Sequence, residues 1–203
     1  MKVIFMPAKS KFDINEVIKK VRVDGKVGLV ASAQYIHKLE EAQKLIPNSI
    51  IAGQVLGCNA LAAKKVENEV DSFLFIGSGP FHPIEIAVKT KKPTYMANPN
   101  TNEFSRVSEE EIKRYENKIR ARTKKFYAAE KVGILVSTKP GQNNMKLALK
   151  LQEKLNKESY IFSFDTLNVD LFEDFPDIEI WINTACPRID NKNIINIRDL
   201  PKL

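Results

Sequence analysis

The chain has 203 residues, 43% of them hydrophobic and 28% charged, and a formal net charge of +7. That length buries a real core, as one large domain or two small ones, and the composition is ordinary for a soluble globular protein. The longest apolar runs, around Phe73 to Ile76 and Val132 to Val136, fall far short of the roughly 20 residues of a membrane span, so no membrane partner is expected.

In chain order, Met1-Lys2-Val3-Ile4-Phe5-Met6-Pro7 lacks the long apolar region and cleavage site of a signal peptide. A cytoplasmic location is expected, where the two cysteines argue against a structural disulfide. Residues 2–6 read as a short strand or entry segment. A helix is predicted over 12–21, with Ile14, Val17, Ile18 and Val21 on one face. Strand 27–31 follows, then a helix over 33–45 stopped by Pro47, and strand 49–52 leading into a loop with Cys58. Next come helix 60–66, strand 72–76, the turn Gly77-Ser78-Gly79-Pro80, a helix from Pro83 to Thr90 and strand 94–97.

A long helix is predicted over 108–130, opened by Ser108 with Glu111 three residues later, the spacing of a capping box. It carries a dense run of lysine and arginine from Lys113 to Lys131 interleaved with glutamates, the pattern of a solvated helix face, with contact to an acidic partner or an RNA-bound protein as the alternative. No nucleic-acid motif accompanies that charge, so direct nucleic-acid binding is not expected. Beyond it lie strand 132–137, a helix over 143–155, strand 160–164, a short helix near 169–172, strand 178–183 and a last strand over 194–197. Strands alternating with helices define an α/β fold with parallel sheets.

Lys26-Val27-Gly28-Leu29-Val30-Ala31-Ser32 matches Lys131-Val132-Gly133-Ile134-Leu135-Val136-Ser137 in pattern. The expected architecture is therefore two similar Rossmann-like parallel-sheet domains related as diverged repeats, 1–107 and 108–203, the second opening with the linker helix. The cysteines are not at equivalent places. Cys58 follows the second strand of its unit, and Cys186 follows the third strand of its own.

Each cysteine is open between a buried structural thiol and a metal ligand. Glycines at 53 and 57 flank Cys58, and a helix begins soon after, which favours a thiolate. Cys186 is followed by Pro187 and by Arg188, a cation close to the thiolate in sequence. There is no CxxC pair and no histidine at metal spacing, so tetrahedral zinc and a redox dithiol are poorly supported. Gly77-Ser78-Gly79-Pro80-Phe81-His82-Pro83 joins a buried strand to a helix and suits an anionic group, although a plain tight turn has the same composition. His82 is a candidate hydrogen-bonding group, and His37 a structural or exposed one. Ser137-Thr138-Lys139-Pro140-Gly141-Gln142 is the corresponding turn of the second unit, open between a ligand loop and a helix cap.

Together, Ala33-Gln34-Tyr35-Ile36-His37, Gly53-Gln54-Val55-Leu56-Gly57-Cys58-Asn59, Phe75-Ile76-Gly77-Ser78-Gly79-Pro80-Phe81-His82-Pro83, Val136-Ser137-Thr138-Lys139-Pro140-Gly141-Gln142 and Ala185-Cys186-Pro187-Arg188 resemble the iron–sulfur, radical-SAM-like subunit of diphthamide synthase over nearly the whole chain. The resemblance implies three similar α/β domains, each giving one cysteine to a 4Fe–4S cluster. It also implies S-adenosylmethionine on the open iron and transfer of its aminocarboxypropyl group, as a radical, to a histidine of translation elongation factor 2. Cys58 and Cys186 would be two cluster ligands. Gly77, Ser78, Gly79, His82, Lys139, Gly141, Gln142 and Arg188 would line the cofactor pocket. The family's first domain, with the third cysteine, has no counterpart in this sequence. A separate first-domain chain or a homo-oligomer is therefore expected to complete the ligand set. The contrasting reading is a non-catalytic scaffold or degenerate homologue that binds the elongation factor or a catalytic partner.

Overall fold

The computed structural model describes residues 4, 6, 8–56 and 59–200. Of the expected opening strand, Ile4 and Met6 are described and carry no regular structure, and the rest lies outside the described residues, as does Cys58. The chain divides into two compact units, Met1–Tyr115 and Glu116–Leu203. No helix among the described residues is long and apolar enough to cross a membrane.

The first unit runs α1 (Asn15–Ile18), β1 (Val27–Ala31), α2 (Leu39–Leu45), β2 (Ser49–Gln54), α3 (Leu61–Val66), β3 (Ser72–Ile76), α4 (Phe81–Thr90), β4 (Thr94–Asn98) and β5 (Glu103–Arg106). Its sheet order is β2-β1-β3-β4-β5. The first four strands are parallel, and β5 is an antiparallel edge. β1 and β3 are buried along their whole length because helices cover both faces. Side chains alternate between those faces. Val27, Leu29, Ala31, Leu74 and Ile76 join Ile14, Val17 and Leu39 on one side. Val30, Phe73 and Phe75 join Ala63 and Ile86 on the other.

Two helices are shorter than their sequence patterns. The first makes a single α-helical turn, yet still buries Ile14, Val17 and Ile18. Between residues 33 and 45 the chain first makes a turn closed by Tyr35 N donating to Ser32 O at 2.9 Å, then a 3₁₀ segment Ile36–Lys38, before α2 begins. Buried Tyr35, whose hydroxyl donates to Asn100 Oδ1, holds that turn against the sheet.

α5 (Glu109–Ala128) runs across the division between the units. Its first turn is the expected capping box: Glu111 N donates to Ser108 Oγ at 3.2 Å and Ser108 N donates to Glu111 Oε2 at 2.8 Å. Ser108→Ala should cost about 1 kcal/mol of stability in a denaturant titration. A change below about 0.3 kcal/mol would mean that solvent satisfies this helix end equally well.

The second unit continues with β6 (Lys131–Ser137), α6 (Met145–Lys154), β7 (Glu158–Phe164), a 3₁₀ turn at Val169–Asp174, β8 (Ile180–Asn183) and β9 (Ile194–Asn196). Its four strands are all parallel in the order β7-β6-β8-β9. That is the second-first-third-fourth order of the first unit's parallel strands. The repeat extends to register. Gly28 of the first strand lies opposite Phe73 of the third, and Gly133 lies opposite Trp181. In both units the missing side chain makes room for the aromatic ring, since a Cβ would come within 2.7 Å of Phe73 Cδ1 and 2.4 Å of Trp181 Cε3. The copies diverge after the third strand. The first unit crosses to its fourth strand through helix α4, whereas residues 184–193 of the second unit contain no helix.

Candidate functional site

A parallel sheet with this order has a switch point between its first and third strands, where connections leave in opposite directions and the carboxyl-end loops part to leave a crevice. In the first unit that point lies between β1 and β3. Gly77 is buried at the end of β3 with φ of 157°, and Gly79 follows with φ of 79°, a pair of conformations that glycine adopts without strain. Ser78 is exposed and Gly79 half-buried. The helix α4 starts at Phe81, two residues before the predicted start, so His82 lies in its first turn. The His82 ring stacks on Phe75 with centroids 5.1 Å apart and planes 13° from parallel. Across the switch point, Ser32 follows β1 and is buried, and no hydrogen-bond partner reaches its Oγ among the described residues. A buried hydroxyl left unpaired costs about 1–3 kcal/mol. In the sequence, the only signal for Ser32 is its place directly after the first buried strand, at the end of the repeated string. His37 is exposed on the 3₁₀ segment.

Cys58 lies outside the described residues. The residues that bracket it, Leu56 and Asn59, exchange two backbone hydrogen bonds of 3.3 and 2.9 Å at the end of the β2 segment.

In the second unit the switch point lies between β6 and β8, and it brings two predicted loops side by side. Buried Ser137 ends β6, and its Oγ accepts from Lys139 N at 3.1 Å. Lys139 is exposed with Nζ 3.3 Å from Thr166 Oγ1, Gly141 has φ of 77°, and half-buried Gln142 donates its N–H to Lys139 O at 3.0 Å. Asn144 Nδ2 then donates to Thr184 O at 2.6 Å, joining this loop to the one that carries Cys186. Cys186 is half-exposed and Arg188 exposed. The Cys186 carbonyl is already taken, by Asn183 Nδ2 at 2.9 Å and Ile189 N at 3.0 Å. The thiol is thus the donor this residue has to offer. A thiolate at the rim of a parallel sheet fits one corner of an iron–sulfur cluster. Among the described residues no group of three or more His, Cys, Asp or Glu side chains is gathered to hold a metal ion.

Asp190 anchors the far side of the Cys186 loop to α5, accepting from Arg122 and from Lys118 at 3.2 Å. Burial alone would raise its carboxyl, but the hydrogen bonds from Arg122 and Lys118 outweigh burial and hold it below the usual carboxylate range. A depressed carboxylate stabilises the fold fully above its unfolded value of about 4, and that contribution disappears as pH falls through the lower folded value. Asp190→Asn should therefore cost up to about 1 kcal/mol at neutral pH, since the pair is half-exposed, and nothing in acid below both values. Thermal melts at the two pH extremes would check this. An equal deficit at both would assign the effect to packing instead of charge.

Two doubly covered parallel sheets in the same strand order, with glycine-rich loops and a thiol at their carboxyl rims, define a two-unit α/β protein of the Rossmann-like class. The family model described as "Putative diphthamide synthesis protein" matches residues 1–196, and the chain belongs to that family. The 2-(3-amino-3-carboxypropyl)histidine synthase of Pyrococcus horikoshii is 34% identical over 207 residues, covering 92% of this chain and 58% of that protein. The protein of the same name from Methanocaldococcus jannaschii is 31% identical, covering 93% of this chain and 56% of its own length. The crystal structure of Dph2 from Pyrococcus horikoshii with a 4Fe-4S cluster superposes with a TM-score of 0.79 at 30% identity, covering 94% of this chain and 62% of that one. The chain thus spans a little over half the length of these curated relatives.

Proposed function

We propose that this chain is a component of a 2-(3-amino-3-carboxypropyl)histidine synthase, moving the aminocarboxypropyl group of S-adenosylmethionine onto a histidine of translation elongation factor 2. The observation that carries this reading is Cys186. Its thiol stands at the carboxyl rim of the second sheet, in a chain whose structural relative from Pyrococcus horikoshii was crystallised with a 4Fe-4S cluster. Cys186 and Cys58 serve as ligands in this proposal. Cys58 and Cys186 would help hold a cluster that, when bound, would supply the electron for reductive cleavage of S-adenosylmethionine. With two cysteines in these residues, a site holding three irons takes a further thiolate from outside them.

This chain's own part is to bind and orient. The Gly77-Ser78-Gly79 turn and the start of α4 offer backbone dipoles to a carboxylate, with the Ser32 hydroxyl beside them and His82 held flat on Phe75. Lys139, Gly141 and Gln142 form the facing lip of the Cys186 loop within the second unit, and Arg188 supplies a guanidinium suited to a carboxylate.

The test is anaerobic reconstitution with iron and sulfide, followed by incubation with dithionite, labelled S-adenosylmethionine and elongation factor 2. The assay is run on the chain alone and with added thiolate-bearing partner chains. Label on the elongation factor histidine supports the reading. Iron uptake without transfer under any combination would overturn it. Arg188→Ala should weaken S-adenosylmethionine binding by at least about tenfold, the loss expected for a charged hydrogen bond of about 1.5–3 kcal/mol, while leaving the melting temperature near that of the parent.

A further inference from the structure

Residues 184–193 cross from the third to the fourth strand of the second unit without a helix, so between Thr184, whose N–H reaches Leu135 O, and Asn193, whose carbonyl accepts from Trp181 N, their backbone groups have no ladder to satisfy them. Two buried asparagines do part of that work. Asn183 ends β8 with 1% exposure, and Asn196 ends β9 with 7%. They lie opposite each other in the parallel register, and Asn183 Nδ2 donates to Asn196 Oδ1 at 2.9 Å. The same Nδ2 donates to Cys186 O at 2.9 Å, while Asn183 Oδ1 accepts from Ala185 N at 2.9 Å. Asn196 Nδ2 reaches Pro187 O at 3.5 Å and Asp199 Oδ2 at 3.3 Å. Every amide N–H of the pair is used, and the residues on both sides of Cys186 are tied to it.

The first unit shows what this position needs for folding alone. Aligning Gly28 with Gly133 and Phe73 with Trp181 sets Asn183 at the place of Phe75 and Asn196 at the place of Met96. Phe75 and Met96 are also direct cross-strand partners, and both pack in an apolar cluster. A buried amide pair is worth no more to the core than such an apolar pair, and it is costly unless every bond is made. The second unit has the polar solution where its thiol loop starts.

The geometry points to Asn183 and Asn196 as positioning residues that hold the Cys186 loop at the rim of the sheet in the pose of a metal ligand. This rests on the reading of Cys186 as a cluster ligand. The pair touches no iron. It acts through the Cys186, Ala185 and Pro187 backbone, fixing where the thiol points before metal arrives.

The test uses the full chain and the double variant Asn183→Leu with Asn196→Leu, which removes both amides together and leaves no unpaired half. Amide hydrogen exchange is read first. In the unmutated chain, Ala185 and Ile189 exchange at least about tenfold more slowly than in the unfolded chain, and in the double variant that protection is lost while Ile134 and Leu135 of β6 keep theirs. Iron affinity on anaerobic reconstitution, with the cluster's absorption and electron paramagnetic resonance signals, is read second and should fall about 10–100-fold, the usual effect of losing an outer support of a metal ligand. Should the double variant fail to fold, Asn196→Ala, which keeps the Asn183 bond to Cys186 O, is read in the same way for a smaller loss. Unprotected Ala185 and Ile189 amides in the unmutated chain, or protection unchanged in the variants, overturn the clamp. Lost protection with unchanged iron affinity and spectra overturns the positioning role. Failure of the unmutated chain, with every partner supplied, to take up iron overturns the proposed function, and the clamp is then still decided by the exchange readout.

Discussion

Cys186→Ser is expected to lower the affinity of the reconstituted protein for cluster iron by at least about tenfold, and aminocarboxypropyl transfer with it. Losing a group that merely supports a metal ligand typically costs that much, so losing the ligand sets it as a floor. The hydroxyl of serine stays protonated at neutral pH and is a hard donor, whereas iron–sulfur clusters are held by thiolates. The fold should hardly respond. Cys186 is half-exposed, its backbone carbonyl carries the loop's hydrogen bonds, and the change replaces one atom, so stability should stay within about 0.5 kcal/mol. Iron and sulfide analysis beside a thermal melt separates the two effects. Cys58→Ser should lower the iron affinity likewise. Unchanged iron in the Cys186 variant would remove that residue from the ligand set.

Trp181→Ala is expected to destabilise the second unit by about 3–5 kcal/mol, a large share of the roughly 5–15 kcal/mol that holds a domain folded. The ring is 2% exposed and lies 4.2 Å from Phe172 and 4.7 Å from Phe162, centroid to centroid, so its removal empties the centre of one face of the sheet. Gly133→Ala attacks the same contact from the other side. Its Cβ would come 2.4 Å from Trp181 Cε3, and relieving that overlap should cost about 1–3 kcal/mol. Because both changes act on one contact, the double variant should be less destabilised than the sum of the singles. Urea titrations followed by circular dichroism would measure all four proteins. Costs that simply add would show that Gly133 does not serve the ring.

The strands of both sheets were legible because parallel strands covered on both faces read as short apolar runs. Ser72 to Ile76 and Val27 to Ala31 are such runs, and both are strands with those bounds. The start of the long helix was legible because Ser108 and Glu111 act on each other within one turn. The edge strand Glu103–Arg106 was not. Only Phe104 of its four residues packs inward, stacked on Tyr95 at 5.7 Å, and the strand exists because β4 is there to pair with it.

By itself, the sequence determined the α/β class, the repeated unit and the loops that carry Cys186 and the glycine turns, because each of these depends on residues near one another in the chain. Only the tertiary structure decided which loops became neighbours and what supports them. The Lys139–Gln142 loop and the Cys186 loop meet because β6 and β8 are adjacent, and Asn183 meets Asn196 because β8 and β9 pair in one register, across thirteen positions of chain. Likewise, that the Ser32 hydroxyl has no partner among the described residues emerges only after the sheet has buried it beside Gly77. Burial and strand register are properties of the folded whole, and a polar side chain has no assigned partner until both are set.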